Sequence, residues 1–298
     1  MEVIKTISEM QKISLGLKAS GKRIACVPTM GYLHEGHASL IRRGKEIADE
    51  VITTIFVNPT QFAPNEDFEK YPRNFERDCE IAQSNGCSYV FHPDILDMYP
   101  IGFSTEINIS KITKSFEGLS RPTHFTGVAT VVAKLFNATL PDIAIFGQKD
   151  YQQSLVVKQL SKDLNFPIQI IIAPTFREAD GLAMSSRNVY LSREERAKAA
   201  ILFHSLEAAR KVIMSGERSR KMVNGVIHST LRSIPEIKID YACSAIADTL
   251  EEPDEFLAGE RIVLLLAVYL GRTRLIDNAI VPVPRMLDTA SDRFIEGI

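Results

Sequence analysis

The sequence predicts an α/β protein built on a parallel sheet, followed by a smaller α+β C-terminal domain. Three observations carry this. The first half alternates short β-branched runs with amphipathic helical segments, the pattern of successive βαβ units. The runs VITTIFV and IQIII are nearly continuous in apolar residues, as strands covered on both faces must be. Beyond residue 175 the order changes to two helical stretches and then three strand-like runs, and 298 residues leave room for two domains. The division is placed there, giving residues 1–175 and 176–298.

Taken in order, residues 24–27 form a strand and residues 39–49 a helix. Residues 51–57 are β-branched and stop at Asn58-Pro59. Residues 75–84 have helical spacing, and 89–91 make a short strand. Residues 128–137 read as helix, 143–146 as strand, 152–162 as helix and 168–172 as strand. A polar, glycine-containing loop covers residues 177–188. Helices follow near residues 193–214 and 219–234, then strands over 238–244, 262–269 and 273–280. The longest apolar stretch, residues 262–270, falls well short of the roughly 20 residues of a membrane helix and reads as a buried strand.

Hydrophobic residues make up 45% of the chain, charged residues 24%, and the formal net charge is -2. That balance gives no broad electrostatic footprint for nucleic acid or an anionic membrane, so neither is an expected partner. Cys26, Cys79, Cys87 and Cys243 form no C-x-x-C pair, which points to free thiols in a reducing compartment. With no apolar run behind the N-terminal charges, no secretory signal is expected and the chain is placed in the cytoplasm.

Three segments suit an anionic ligand. PTMGYLHEGH, residues 28–37, follows the first strand and enters a helix expected to begin near His37. Ligands of open α/β sheets bind at the carboxyl ends of strands. Gly31 and Gly36 allow close backbone approach, and the helix start directs N–H groups at anionic oxygen. His34 and His37, three apart, can share one side of a helical turn and meet the charge on a triphosphate under attack. Two solvated histidines, or half of a metal site, are the competing readings. FGQKDYQQ, residues 146–153, places Gly147 at a strand exit, Lys149 as a compact cation, and Asp150 to cap a helix or hold a ribose hydroxyl. A capped surface helix is its alternative. READGLAMSSRN, residues 177–188, offers Ser185, Ser186 and Arg187 as a clamp on a leaving group, or else is an interdomain linker. Gln61 in FVNPTQF and Gln153 bring two amides from strand ends, suited to a small hydroxy acid if they are not simply exposed.

PTMGYLHEGH, FVNPTQF, RPTHFTGVATVV, FGQKDYQQ, READGLAMSSRNVYLS and TRLIDN resemble, in matching order, the motifs of the pantoate–β-alanine ligase (pantothenate synthetase) family. The joint pattern is far more specific than the H-x-G-H element, which many nucleotidyltransferases share. The resemblance implies a Rossmann-like ATP domain of the H-x-G-H nucleotidyltransferase type, with the C-terminal domain as a lid. It implies a ligase that condenses (R)-pantoate with β-alanine through a pantoyl-adenylate, releasing AMP and pyrophosphate. ATP would be held by Met30, Gly31, Tyr32, Leu33, His34, Glu35, Gly36 and His37. Gly147, Gln148, Lys149 and Asp150, the backbone near Phe176, and Met184, Ser185, Ser186 and Arg187 would complete that site. Gln61 and Gln153 would bind pantoate, with Gln61 also near β-alanine. His37 matches the residue usually assigned as proton donor, and His34, Lys149 and Arg187 would share the phosphate charge. Mg²⁺ would accompany ATP with no protein ligand assigned, and the chain would form a homodimer through the N-terminal domain. Tyr32 stands where Ala is usual, Gln148 where Glu is common, and Thr123 where Gly is frequent. A nucleotidyltransferase acting on a phosphate ester and a non-catalytic nucleotide-binding module are the other functional readings. The first would not need two glutamines at strand ends, and the second would bind ATP without turnover.

Overall fold

The computed structural model describes residues 1–64 and 66–285. The chain forms two compact units, Met1–Phe176 with Met184–Ser186, and Arg177–Ala183 with the described residues from Arg187 to Arg285.

In the first unit the strands are β1 (Glu2–Ile4), β2 (Ile24–Thr29), β3 (Glu50–Ile55), β4 (Tyr89–Phe91), β5 (Ile143–Gly147) and β6 (Gln169–Ala173). All pair in parallel, in the order β1-β4-β3-β2-β5-β6. The helices are α1 (Ile7–Ala19), α2 (Glu35–Ile47), α3 (Phe75–Ser84), α4 (Ile95–Met98), α5 (Glu117–Ser120), α6 (His124–Thr139) and α7 (Tyr151–Asp163). The period of two within a strand divides the core. Ile143 and Ile145 of β5 join one apolar cluster with Leu33, Ile41 and Ala82, while Ala144 and Phe146 join another with Met10, Phe136 and Val156. Burial on both sides accounts for the apolar run of β3, whereas β6, which carries IQIII, is an edge strand and only partly buried, contrary to the reading of that run as a covered strand.

Strand order reverses between β2 and β5: β3 and β4 are added on one side of β2, and β5 and β6 on the other. The carboxyl ends of β2 and β5 thus flank the topological switch point, where open α/β sheets bind ligands.

The second unit carries α8 (Arg193–Ala199), α9 (Ile201–Met214) and α10 (Arg220–Leu231), then the antiparallel strands β7 (Ile237–Ile246), β8 (Arg261–Leu270) and β9 (Thr273–Pro282) in sequential order. Its core joins Leu202, Leu206 and Ile213 of α9 to Ile262, Leu264 and Leu266 of β8.

Several elements differ from the sequence expectation. β1 and α1 are additional: a three-residue strand shows no period, and the buried face of α1 is interrupted by Ser14. The single helix expected over residues 193–214 is two, with Ala200 between them, and nothing in the local sequence marks that break. The segment 177–188 is not a plain polar loop. Arg177 bridges Ala183, and Glu178 N–H donates to the Leu182 carbonyl at 2.8 Å. Leu182 and Ala183 are buried. No described helix is long and apolar enough to cross a membrane, and all four cysteines are free.

Candidate active site

The turn after β2 is held by several distinct contacts. Thr29 Oγ accepts from Gly31 N–H at 3.1 Å and donates to the Thr54 carbonyl at 2.6 Å. Gly31 and Tyr32 both have positive φ, 80° and 48°. Such a conformation is unfavourable for a tyrosine. The buried carboxylate of Asp78 stabilises it, accepting from Tyr32 N–H at 2.7 Å and Leu33 N–H at 2.6 Å. Arg77 adds a bond to the Leu33 carbonyl at 2.9 Å and lies 5.3 Å from the centre of the Tyr32 ring.

α2 then begins at Glu35, two residues before the expected His37, because His34 is its N-cap. His34 Nδ1 accepts from Gly36 N–H at 3.1 Å, and His37 Nδ1 accepts from His34 N–H at 3.3 Å. This reciprocal pair satisfies two of the N–H groups that a helix start leaves unpaired. It also fixes both tautomers, since an Nδ1 that accepts leaves the proton of a neutral ring on Nε2. The ring centroids are 4.1 Å apart. Burial, then the neighbouring His34 and Lys149, push the His37 imidazole well below 6.5, so it is neutral at pH 7. Gly36 also has a local role: a Cβ there would lie 2.9 Å from the His34 ring. Gly36 therefore makes room for the cap itself.

Gly147 ends β5 in ordinary geometry, with nothing within 4 Å of where its Cβ would stand. The Gln148 N–H donates to the Ala173 carbonyl at 2.8 Å, tying this turn to β6. Lys149 Nζ is 3.8 Å from the Asp150 carboxylate. Asp150 occupies the N-cap of α7, but its side chain makes no cap bond, contrary to the capping reading.

Gln61 closes a 3₁₀ turn, Pro59–Gln61, after β3, and it is buried. Its Nε2 approaches Met30 Sδ at 3.0 Å, and its Oε1 accepts from Asn58 Nδ2 at 3.3 Å. Gln153 lies in the first turn of α7 rather than at a strand end, half-buried. Its neighbour Gln152 is the buried one, accepting from Glu117 N–H at 3.0 Å and donating to the carbonyls of Ile112 and Ser115 at 2.7 and 2.9 Å.

Phe176 accepts, through its carbonyl, from Met184 N–H at 3.0 Å, and its Cβ lies 3.6 Å from where a Gly36 Cβ would be. Ser186 Oγ donates to the Tyr32 carbonyl at 3.3 Å. Met184, Ser185 and Ser186 therefore belong with the His34–His37 turn, while Arg187 is part of the second unit. Asp78 and Asn58 are missing from the sequence reading. Asn58 stood inside a motif already singled out, whereas Asp78 reaches Tyr32 across 46 residues with no local pattern to mark it. Among the described residues no group of three or more His, Cys, Asp or Glu side chains is placed to hold a metal ion.

This arrangement puts two imidazoles after β2, each with Nδ1 accepting a backbone N–H, a lysine after β5, and a buried amide after β3. A family model for pantoate-beta-alanine ligase matches residues 2–280. The pantothenate synthetase of Moorella thermoacetica is 50% identical over 283 residues, covering 95% of this chain and 99% of that protein. That of Geobacter sulfurreducens is 49% identical over 280 residues, covering 94% and 98%. The crystal structure of the Thermus thermophilus pantothenate synthetase superposes with a TM-score of 0.88 at 41% identity, covering 96% of this chain and 100% of that one. A Francisella tularensis pantoate-beta-alanine ligase, complexed with beta-gamma ATP and beta-alanine, gives 0.76 at 37% identity, covering 94% and 97%. With the site motifs on the switch-point strands and matches of this extent, the chain belongs to the pantoate–β-alanine ligase family.

Proposed function

We propose that this chain makes pantothenate in two half-reactions on one nucleotide site. Condensation of pantoate with β-alanine is the reaction of the family to which the chain belongs. In the first half-reaction a pantoate carboxylate oxygen attacks the α-phosphorus of ATP. The bond to the β-phosphate breaks, and pyrophosphate leaves. In the second, the β-alanine amine attacks the acyl carbon of the pantoyl-adenylate, AMP leaves, and the amine gives up a proton. The substrate carboxylate is already a nucleophile, so the protein supplies positioning and charge stabilisation.

The observation that carries this reading is the placement of His34 and His37 after β2 and Lys149 after β5, on either side of the switch point. With Nδ1 of each histidine already accepting a backbone N–H, the Nε2–H groups are the donors offered to phosphate oxygen. Lys149 adds a point charge. Ser185 and Ser186 are assigned to the same nucleotide, and Arg187 to its phosphates from the motif alone. Gln61 and Gln153 are assigned to pantoate. The ATP complex of the Francisella protein supports ATP as the nucleotide. Mg²⁺ would enter with the triphosphate, because the cationic and amide side chains here suit phosphate and hydroxyl oxygen rather than a metal cage. We further infer a cytoplasmic homodimer, with the second unit as a lid.

Turnover assays test the reading. ATP, Mg²⁺ and pantoate should release pyrophosphate, and adding β-alanine should yield pantothenate and AMP in equal amounts. Pyrophosphate release that needs a phosphate-ester acceptor instead of pantoate would identify a nucleotidyltransferase.

A further inference from the structure

The segment RPTHFTG, residues 121–127, belongs to a matched motif but contributes nothing to the site described above. Its groups converge on Gln61. The Gln61 carbonyl lies 3.0 Å from His124 Nδ1 and 3.1 Å from Arg121 Nη2. A carbonyl only accepts, so the His124 proton is on Nδ1. A guanidinium only donates, and Arg121 Nη1 is 3.3 Å from His124 Nε2, so that nitrogen is the acceptor. Both neighbours thus demand the same neutral tautomer.

The guanidinium is itself fixed. Glu66 accepts from Arg121 Nε and Nη2, both at 2.6 Å, and Glu117 accepts from Nη1 at 3.2 Å. Paired bonds of this fork type set direction as well as distance. α6, which begins at His124, also packs closely on this turn. A Cβ on Gly127 would stand 2.5 Å from the Thr60 carbonyl oxygen and 2.7 Å from Gln61 N, so only glycine allows this approach. Asn58 Nδ2 spans the Gly127 carbonyl at 3.1 Å and Gln61 Oε1 at 3.3 Å, and Tyr99 Oη donates to Asn58 Oδ1 at 2.7 Å. The backbone and the amide of Gln61 are therefore fixed separately. Burial and the Arg121 charge push the His124 imidazole down to about 4, so the contact persists at neutral pH.

We propose that Arg121 and His124 are positioning residues for pantoate, touching no substrate but holding the Gln61 backbone so that its amide meets pantoate in one orientation. This rests on Gln61 being a pantoate ligand. A binding group held a fraction of an ångström out of place loses much of its effect, which is why a fixed backbone matters here.

Two replacements at one position test it. His124→Phe keeps a ring but removes the donor, whereas His124→Asn returns an N–H near the Nδ1 position. In pyrophosphate-release assays His124→Phe should raise the KM for pantoate roughly tenfold, as for loss of one buried hydrogen bond, with the KM for ATP changed by less than about twofold. His124→Asn should recover most of the pantoate KM. Arg121→Lys, which keeps the charge but loses the fork, should reproduce the pantoate-selective defect and serves if His124→Phe does not fold. Equal rises in both KM values, or no recovery in His124→Asn, would overturn the proposal as general loosening. Gln61→Ala separates the two layers. If it weakens pantoate use while His124→Phe and Arg121→Lys do not, the positioning role fails alone. If Gln61→Ala leaves pantoate use intact, the ligand reading fails and this inference with it.

Discussion

Arg177→Met should be among the most destabilising single changes in the second unit. Asp277 is almost wholly buried, and Arg177 meets both of its carboxylate oxygens, Nη1 to Oδ2 at 2.6 Å and Nη2 to Oδ1 at 2.9 Å. The same guanidinium donates to the Gly181 carbonyl at 2.9 Å and the Asn278 carbonyl at 3.2 Å, and lies 4.9 Å from the centre of the Phe203 ring. Methionine would replace the stem but not the charge, so a buried carboxylate that also accepts from the Asn278 N–H at 2.8 Å loses both donors that Arg177 supplies. Breaking a buried pair in this way costs about 3–5 kcal/mol, far more than the ~0–1 kcal/mol of a surface pair. Urea unfolding followed by circular dichroism measures the loss. The double variant with Asp277→Asn should recover part of it, because the buried charge is then gone. A loss below ~1 kcal/mol for Arg177→Met, with no recovery in the double variant, would refute the claim that this pair anchors the 177–183 hairpin.

Three further outcomes follow from the site. His37→Ala should slow single-turnover pyrophosphate release about 10²-fold by removing a donor to developing charge. It should also lower stability by ~1 kcal/mol, because His37 closes the cap of α2 rather than standing in a loop; an unchanged rate would remove His37 from the mechanism. His124 has a folded pKa of about 4 against an ordinary 6.5. The stability it contributes is fully present above pH 6.5 and is lost as pH falls toward 4, because only the unfolded chain takes up the proton. At about 1.4 kcal/mol per unit this amounts to ~3 kcal/mol, so the stability gap between wild type and His124→Asn should shrink by that much from pH 7 to pH 4, and a constant gap would contradict the buried neutral ring. ATP with pantoate should slow hydrogen exchange at residues 185–188 and alter 177–183 little, since that hairpin is already bonded; equal exchange at 185–188 with and without ligands would rule out ordering by the nucleotide.

What the sequence made legible follows from range. β3 and β5 were readable because strands buried on both faces need apolar residues at every position, and such runs have few other meanings. The His34–His37 and Lys149 segments were readable because each follows a strand directly, so position along the chain fixes position on the sheet. Through-space partners were not. Asp78 looks like any acidic residue in the first turn of α3, yet it holds the strained Tyr32 turn. Gln152 and Gln153 are adjacent amides, and helix phase alone decides that the first is consumed by the 112–117 backbone. Sequence shows that Gly36 lacks a side chain but not that the His34 ring occupies the space beside it. Arg121 and His124 were visible as a motif but not as a function, because their target is a backbone carbonyl some 60 residues away.

The central claim is that pantoate is activated as its adenylate. Pantoate labelled with ¹⁸O in both carboxylate oxygens, incubated with ATP, Mg²⁺, β-alanine and the protein, tests it directly. Attack by a carboxylate oxygen on the α-phosphorus leaves that oxygen on phosphorus when the amine displaces AMP. Mass spectrometry should therefore find one ¹⁸O in each AMP formed and one in each pantothenate, with none in pyrophosphate. AMP free of label while pantothenate accumulates would contradict an adenylate and with it the account of the site.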